Sequence, residues 1–205
     1  MQEVEPFAKP SVLLEQHPTP ADLAARMLYT AEASFGDIDG RIVADLGAGC
    51  GVLSMGAALL GADHVVAVEI DPSAAAVAQE NAVEFEVQVD VMLSDVSNLP
   101  LRRGGFDTVV MNPPFGTKAK GIDMVFLQQA LGLVRRGGAV YSMHKSSTRE
   151  HVMSKGKEWG AKSEVIAQLL FPIPKVHRHH KHESLDVHVD LWRFHLPELA
   201  ATTKP

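Results

Sequence analysis

Three observations predict an α/β fold built on a mostly parallel seven-stranded sheet. Short apolar runs alternate with helical patterns along most of the chain, as in successive βαβ units. The first of these runs passes straight into Asp45-Leu46-Gly47-Ala48-Gly49-Cys50-Gly51 and then into a helix. The last two strand-like runs have no helical pattern between them. Parallel neighbours need a long crossover, whereas antiparallel ones can be joined by a loop, so the sheet is expected to end in an antiparallel pair that includes the C-terminal strand.

The elements follow in order. A first helix is predicted to begin near Thr19, with Pro20 near its N-terminus and Leu23, Met27 and Leu28 on its buried stripe. Strands are predicted at 41–46, 64–70, 87–93, 106–112 and 139–144, with helices at 51–60, 73–85, 122–134 and 147–159. The antiparallel pair takes 164–171 and 185–195, separated by a Pro-rich, basic loop. Tyr141 and Trp192 fall in strand patterns and read as core.

Composition narrows the class of protein. The 205 residues suit one α/β domain spanning 1–205, with residues 1–18 as an N-terminal extension. Hydrophobic residues make up 46% and charged ones 21%, an ordinary balance for a globular chain. No apolar run approaches the roughly 20 residues that cross a bilayer. The opening MQEVEPFAKP lacks a signal-peptide pattern. Cys50 is the one cysteine and has no internal disulfide partner, which agrees with a reducing compartment, the cytoplasm or the nucleus including the nucleolus. A net charge of -6 argues against broad adhesion to nucleic acid. The exception is local: Lys175, His177, Arg178, His179, His180, Lys181 and His182 crowd into one loop.

The glycine loop carries the first chemical signal. Gly47 and Gly49 permit positive φ and let a ligand approach the backbone. The second strand ends at Glu69, 22 residues after Gly47, where an acidic residue meets a ribose in nucleotide-binding folds. A carboxylate there can accept hydrogen bonds from both ribose hydroxyls. The spacing is G-x-G-x-G, not the G-x-G-x-x-G of dinucleotide sites, and no helix start is kept free for a pyrophosphate. S-adenosyl-L-methionine has no phosphate, and its sulfonium and amino groups are cationic, which suits Asp45 beside the loop. Asp95, after the third strand, is placed to receive the amino group of an adenine.

Asn112-Pro113-Pro114-Phe115, directly after the fourth strand, is the second signal. An adenine N6 amine is a poor nucleophile because its lone pair is delocalised into the ring. Two acceptors for its N–H groups favour a more pyramidal, reactive nitrogen, and the Asn112 side-chain oxygen and Pro113 carbonyl can supply them. The prolines stiffen the turn, and Phe115 offers a face for a splayed-out base. Lys145 follows the fifth strand at the same sheet end, and Arg178 and Lys181 lie in the basic loop; all three are candidate RNA contacts. No metal site is expected in the His-rich run, because interleaved Arg and Lys repel a dication and no carboxylate or thiolate completes a ligand set.

The stretch Asn112–Lys118, followed by His144-Lys145-Ser146-Ser147-Thr148-Arg149-Glu150-His151, resembles the methyltransferase-like protein 5 family. Leu13–Gln16, Pro18-Thr19, Ala24–Thr30 and Val43–Gly47 add to the likeness, which runs from about Phe7 to Phe194. The resemblance implies a Rossmann-like class I methyltransferase fold and N6-adenine methylation of small-subunit ribosomal RNA. It implies that Gln16 and Thr19 line the cofactor pocket and that Gly47, Cys50 and Val52 belong to the glycine loop. By the same resemblance Glu69 holds the ribose, Asp95 and Val96 flank the adenine, and Asn112 to Phe115 carry catalysis. It also implies a partner, a small zinc-binding activator protein, expected on the edge strand 87–93 because an open valine-rich edge is otherwise a liability. Two positions depart from the family: His17 stands where tyrosine is common, and Glu69 replaces an aspartate.

Other readings stay open on the residues alone. The same motif suits methylation of a protein glutamine amide or a DNA adenine. A non-catalytic, cofactor-binding scaffold in ribosome assembly is the alternative outside the enzyme class, although a scaffold has no need of paired acceptors beside an aromatic ring.

Overall fold

A computed structural model describes residues 4–7, 9–174 and 184–198. Five helices are α1 (Ala21–Phe35), α2 (Val52–Leu59), α3 (Pro72–Glu84), α4 (Ile122–Leu133) and α5 (Arg149–Glu158). Seven strands are β1 (Ile42–Leu46), β2 (His64–Glu69), β3 (Asp90–Leu93), β4 (Phe106–Met111), β5 (Val134–Lys145), β6 (Lys162–Pro174) and β7 (Ser184–His195). They form one sheet in the order β3-β2-β1-β4-β5-β7-β6. Strands β1 to β5 are parallel, and β7 runs antiparallel to both of its neighbours.

The central strands are mostly apolar because both faces are covered. Alternate residues enter two separate cores. Val43, Val65, Ala67, Val110 and Tyr141 pack with α1 and α2. Ala44, Val66, Val68, Val109 and Val140 pack with α4 and α5. Tyr141 and Trp192 are fully buried, as their strand positions predict.

Most predicted elements are present, with shifted ends. The strand expected over 87–93 is only Asp90–Leu93, because Val87 is spent on closing α3. Its N–H bonds the Ala82 carbonyl at 3.1 Å, and Glu86 takes φ 53°, as in a helix-ending turn. The last helix begins at Arg149, after a short 3-10 turn at Ser146–Thr148. Strand β5 starts earlier than expected, pairing Val134 with Phe106 before the register shifts. Gly138 lies within that irregularity, and a side chain there would collide with the Asp107 carbonyl of β4. Gly138→Ala is therefore expected to cost about 2 kcal/mol, read as a lowered midpoint in thermal or urea denaturation. A melting curve matching wild type would mean the strands can part without loss.

One register feature positions the site. Leu46 of β1 pairs with Val68 of β2 on one side and Met111 of β4 on the other. Gly47, Glu69 and Asn112 thus each stand one residue beyond the same rung. This is also where the order of strands reverses, the usual ligand crevice in open α/β sheets.

Candidate active site

A cavity of about 240 Å³ opens at this sheet end. Of the residues singled out in the sequence, Gln16, Gly47, Gly49, Glu69, Asp95, Val96, Asn112 and Pro114 line it. Thr19, Asp45, Cys50, Val52, Pro113 and Phe115 stand outside the lining. Arg178 and Lys181 lie outside the described residues.

The glycine loop is bare for a steric reason. Gly47 and Gly49 have φ 69° and 56°, and a Cβ on either would lie 2.8 Å from the Phe126 ring or 2.7 Å from the Phe7 ring. Glu69 is buried, and its carboxylate accepts the N–H groups of Gly49 at 2.8 Å and of Ile70 and Asp71 at 2.9 Å. A carboxylate offers about four lone-pair sites. Three are filled by backbone, which leaves room for one strong donor from a ligand rather than the two read from the sequence. Glu69, one methylene longer than an aspartate, bonds Gly49 across the loop.

Asp95 caps the turn at Val96–Asn98, with Oδ1 accepting from the Ser97 N–H at 2.8 Å and the Ser97 hydroxyl at 2.6 Å. The Ser97 hydroxyl and N–H hold its carboxyl below the usual carboxylate range. It is thus an ionised acceptor at the cavity rim, with Val96 and Ile70 as apolar walls.

Asp45 faces α2 instead. Its Oδ2 accepts from the Ser54 hydroxyl at 2.6 Å, and its Oδ1 is buried with no partner among the described residues. Burial pushes its carboxyl up to about 7, against the pull of Ser54 and with a small push from Glu69. A carboxyl raised in the folded state favours the protonated fold, so its contribution to stability falls as pH climbs from about 4 to about 7 and is level above. Asp45→Asn should remove that slope. The melting temperature of the variant is expected to gain on wild type between pH 5 and 8, and parallel curves would show that Asp45 is not the titrating group. Burial, Glu69 and Asp71 push the Cys50 thiol up to about 12, so it stays protonated and is no nucleophile.

The N-terminal segment forms part of the cavity roof. Glu5 exchanges backbone hydrogen bonds with the Asn81 side chain at 2.9 and 3.2 Å. Gln16 donates to Asp71 at 2.8 Å and accepts from the Ser11 N–H at 2.6 Å. Glu15, at φ 53°, accepts the Lys118 N–H at 2.7 Å and so fastens the roof to the loop after the Pro-Pro turn. Phe7, Glu15, Ile70 and Phe126 are lining residues that the sequence did not reveal; only Ile70, next to Glu69, had a positional signal. His17 also lines the cavity.

Asn112 donates from Nδ2 to the Thr19 hydroxyl at 3.0 Å, and its Oδ1 is buried with no partner among the described residues. Beside it, Phe115 is half-buried against Phe171, edge to face at 5.6 Å, with the Lys145 ammonium 5.8 Å from its ring centroid. The stretch after Lys145 is anchored rather than free. Asp190, fully buried, accepts from Arg149 twice and from Ser146 once, each at 2.7 Å. Burial raises its carboxyl, but these bonds outweigh it and hold it below the ordinary range. His144 is buried between the Ser142 hydroxyl at 2.9 Å and the Asp123 carboxylate at 3.6 Å, which ties β5 to the first turn of α4.

The sheet order, the bare glycine loop with an acidic residue on the neighbouring strand to one side, and an asparagine amide after the neighbouring strand to the other define a class I methyltransferase. The profile of the family described as methyltransferase small domain matches residues 19–158. The chain is 47% identical over 197 residues to the rRNA N(6)-adenosine-methyltransferase METTL5 of Danio rerio, covering 95% of this chain and 94% of that one. Against the Drosophila melanogaster protein of the same description it is 46% identical, covering 96% and 93%. A solved Pyrococcus horikoshii structure, described as a candidate RNA methyltransferase, superposes with a TM-score of 0.82 at 39% identity, covering 96% of this chain and 95% of that one. The chain belongs to the METTL5 family of methyltransferases.

Proposed function

We propose that this chain transfers a methyl group from S-adenosyl-L-methionine to the N6 amine of an adenosine in small-subunit ribosomal RNA. The observation that carries the reading is the buried oxygen of Asn112, without a partner among the described residues, in the wall of a cavity that also holds Glu69, Asp95 and the glycine loop. The relatives described as rRNA N(6)-adenosine-methyltransferases support the substrate.

The residues present fit the cofactor. Glu69 has one acceptor site left for a ribose hydroxyl, Asp95 can receive an adenine amino group, and Ile70 and Val96 flank a flat ring. The carboxylates suit a cationic ligand, and the close rings of Phe7 and Phe126 leave no room for side chains on the loop. When bound, S-adenosylmethionine supplies an electrophilic methyl carbon on a sulfonium.

The chain's own part is to prepare the amine. Asn112 Oδ1 and the Pro113 carbonyl accept its two N–H bonds, drawing the nitrogen lone pair out of conjugation. Bound S-adenosylmethionine would give up its methyl carbon to that nitrogen and keep the C–S electron pair on sulfur, and the methylated amine would lose one proton to solvent. Phe115 supports the extruded base and Lys145 offers a positive charge beside it to an RNA phosphate; Arg178 and Lys181, outside the described residues, are further candidate RNA contacts.

The same reading gives one domain over the chain, work on ribosomal RNA in the nucleus, nucleolus or cytoplasm, and a small zinc-binding activator on the sheet edge. Strand β3 is an edge strand, with its own Leu93 58% exposed and Val83 of the preceding helix α3 72% exposed, which supports the placement. Tritiated cofactor offered with separated RNA, DNA and protein is expected to label RNA, and nucleoside mass spectrometry of ribosomal RNA from cells lacking the chain should show loss of N6-methyladenosine. Label in protein alone overturns the proposal.

A further inference from the structure

We infer that Glu15 is a positioning residue for the methyl acceptor: its carboxylate grips the backbone N–H of Lys118 and so fixes the loop 116–121, on which the far end of the catalytic turn depends. The inference rests on the reading above that Asn112 to Phe115 receive the acceptor amine and its ring.

The loop needs such a grip. Pro113 and Pro114 stiffen the turn at its start, but that stiffness stops at Gly116, where φ is 71°. Gly121, at φ 81°, stands at the start of α4. A glycine at each end gives the segment two free joints, and residues 117–121 are exposed. The Ile122 N–H bonds the Ala119 carbonyl at 3.2 Å, a bond within the segment's own turn. Among the described residues, the bond from the Lys118 N–H to Glu15 Oε1, at 2.7 Å, is the only hydrogen bond that ties 116–120 to a distant segment, 103 positions away. Its length is that of a charge-assisted bond.

Glu15 is itself held in an unusual way. At φ 53° it lies in the left-handed region, where a long side chain is uncommon and persists only when its surroundings fix it. Here they do. The Gln16 N–H bonds the Ser11 carbonyl at 3.1 Å, and the Gln16 side chain accepts the Ser11 N–H and donates to Asp71. Leu13 and Leu14 are exposed, so polar bonds hold this turn more than burial does.

Both ends of the grip belong to the cavity wall, since Glu15 and Ala119 line it. The bond therefore joins the wall built by the N-terminal segment to the wall that continues from Asn112 and Pro114. With it in place, the turn presents its acceptors and the Phe115 ring in one arrangement before RNA arrives. The base is then received by a site already ordered. Because Glu15 grips backbone, the side chain at position 118 takes no part.

The test uses the full-length chain, with its activator where activity requires one, and compares Glu15→Gly with Glu15→Gln. Glycine accepts the left-handed backbone and removes the carboxylate, whereas glutamine keeps an acceptor oxygen. Glu15 belongs to neither core, so both variants should fold. In the ligand-free protein, hydrogen exchange at the Lys118 amide is expected to be about tenfold faster in Glu15→Gly. It should stay near wild type in Glu15→Gln, and likewise at the position 118 amide of Lys118→Ala. Glu15→Gly is expected to lower kcat about tenfold, with the RNA KM and the S-adenosylmethionine Kd within about threefold of wild type. Glu15→Gln should restore most of that kcat. Unchanged exchange in Glu15→Gly, or wild-type kcat in that variant, overturns the inference. So does fast exchange in Lys118→Ala, or a kcat loss in Glu15→Gln equal to that in Glu15→Gly. A tenfold rise in cofactor Kd with kcat unchanged overturns it as well and gives the carboxylate to the cofactor. Wild-type turnover in Asn112→Ala, with exchange still faster in Glu15→Gly, instead defeats the underlying reading of Asn112.

Discussion

Asn112→Ala is expected to lower turnover by about 10²–10³-fold, the usual consequence of losing one preorganised polar group at a reacting centre. The S-adenosylmethionine Kd should stay within twofold of wild type, because Asn112 stands one strand away from the loop and two strands away from Glu69. The fold should not suffer. The side chain makes one hydrogen bond, to Thr19, and its removal also removes a buried oxygen that has no partner among the described residues. Single-turnover assays at saturating cofactor and RNA, beside calorimetric titration with the cofactor, separate the two effects. Wild-type rates in this variant would show that the amine is not activated at this amide.

Glu69 is expected to give the complementary result. Glu69→Gln keeps the size but sets an NH2 group against backbone N–H donors, and it discharges a carboxylate that three of them share. A hydrogen bond to a charged group is worth about 1.5–3 kcal/mol, so cofactor affinity should fall about 10- to 10²-fold. At saturating cofactor, turnover should recover most of its wild-type value, since Glu69 does not reach the transfer path. Glu69→Ala should lower the melting temperature as well, because it strands three N–H groups in a buried corner. Unchanged cofactor affinity in both variants would sink the ribose assignment.

The parts of this molecule legible in the sequence are those that local chemistry dictates. The strands β1, β2 and β4 read clearly because a run such as Ile42–Leu46 buries both faces and cannot be a helix of that length. Gly47, Gly49, Glu69 and Asn112 read clearly because each ends or follows such a run. What was not legible depends on contacts between distant segments. Nothing local marks Phe7 as the ring over Gly49, or Glu15 as the acceptor for Lys118. The late start of the third strand was hidden because Val87 suits a strand in composition, while the preceding helix claims its N–H. The Ser146–Arg149 stretch pointed to a family, but its task became visible only with Asp190 buried beneath it, 41 residues from Arg149.

Because Gly47, Glu69 and Asn112 follow one rung of the sheet, its hydrogen-bond ladder works as a ruler. Adjacent strands lie about 4.8 Å apart, so the carboxylate strand and the amide strand are separated by about 10 Å, whatever loops are grafted above them. Point changes cannot stretch that interval; only a new strand or bulge could. Descendants of such a scaffold can therefore exchange one methyl acceptor for another by rebuilding the loops, while the span between the two stations is inherited unchanged.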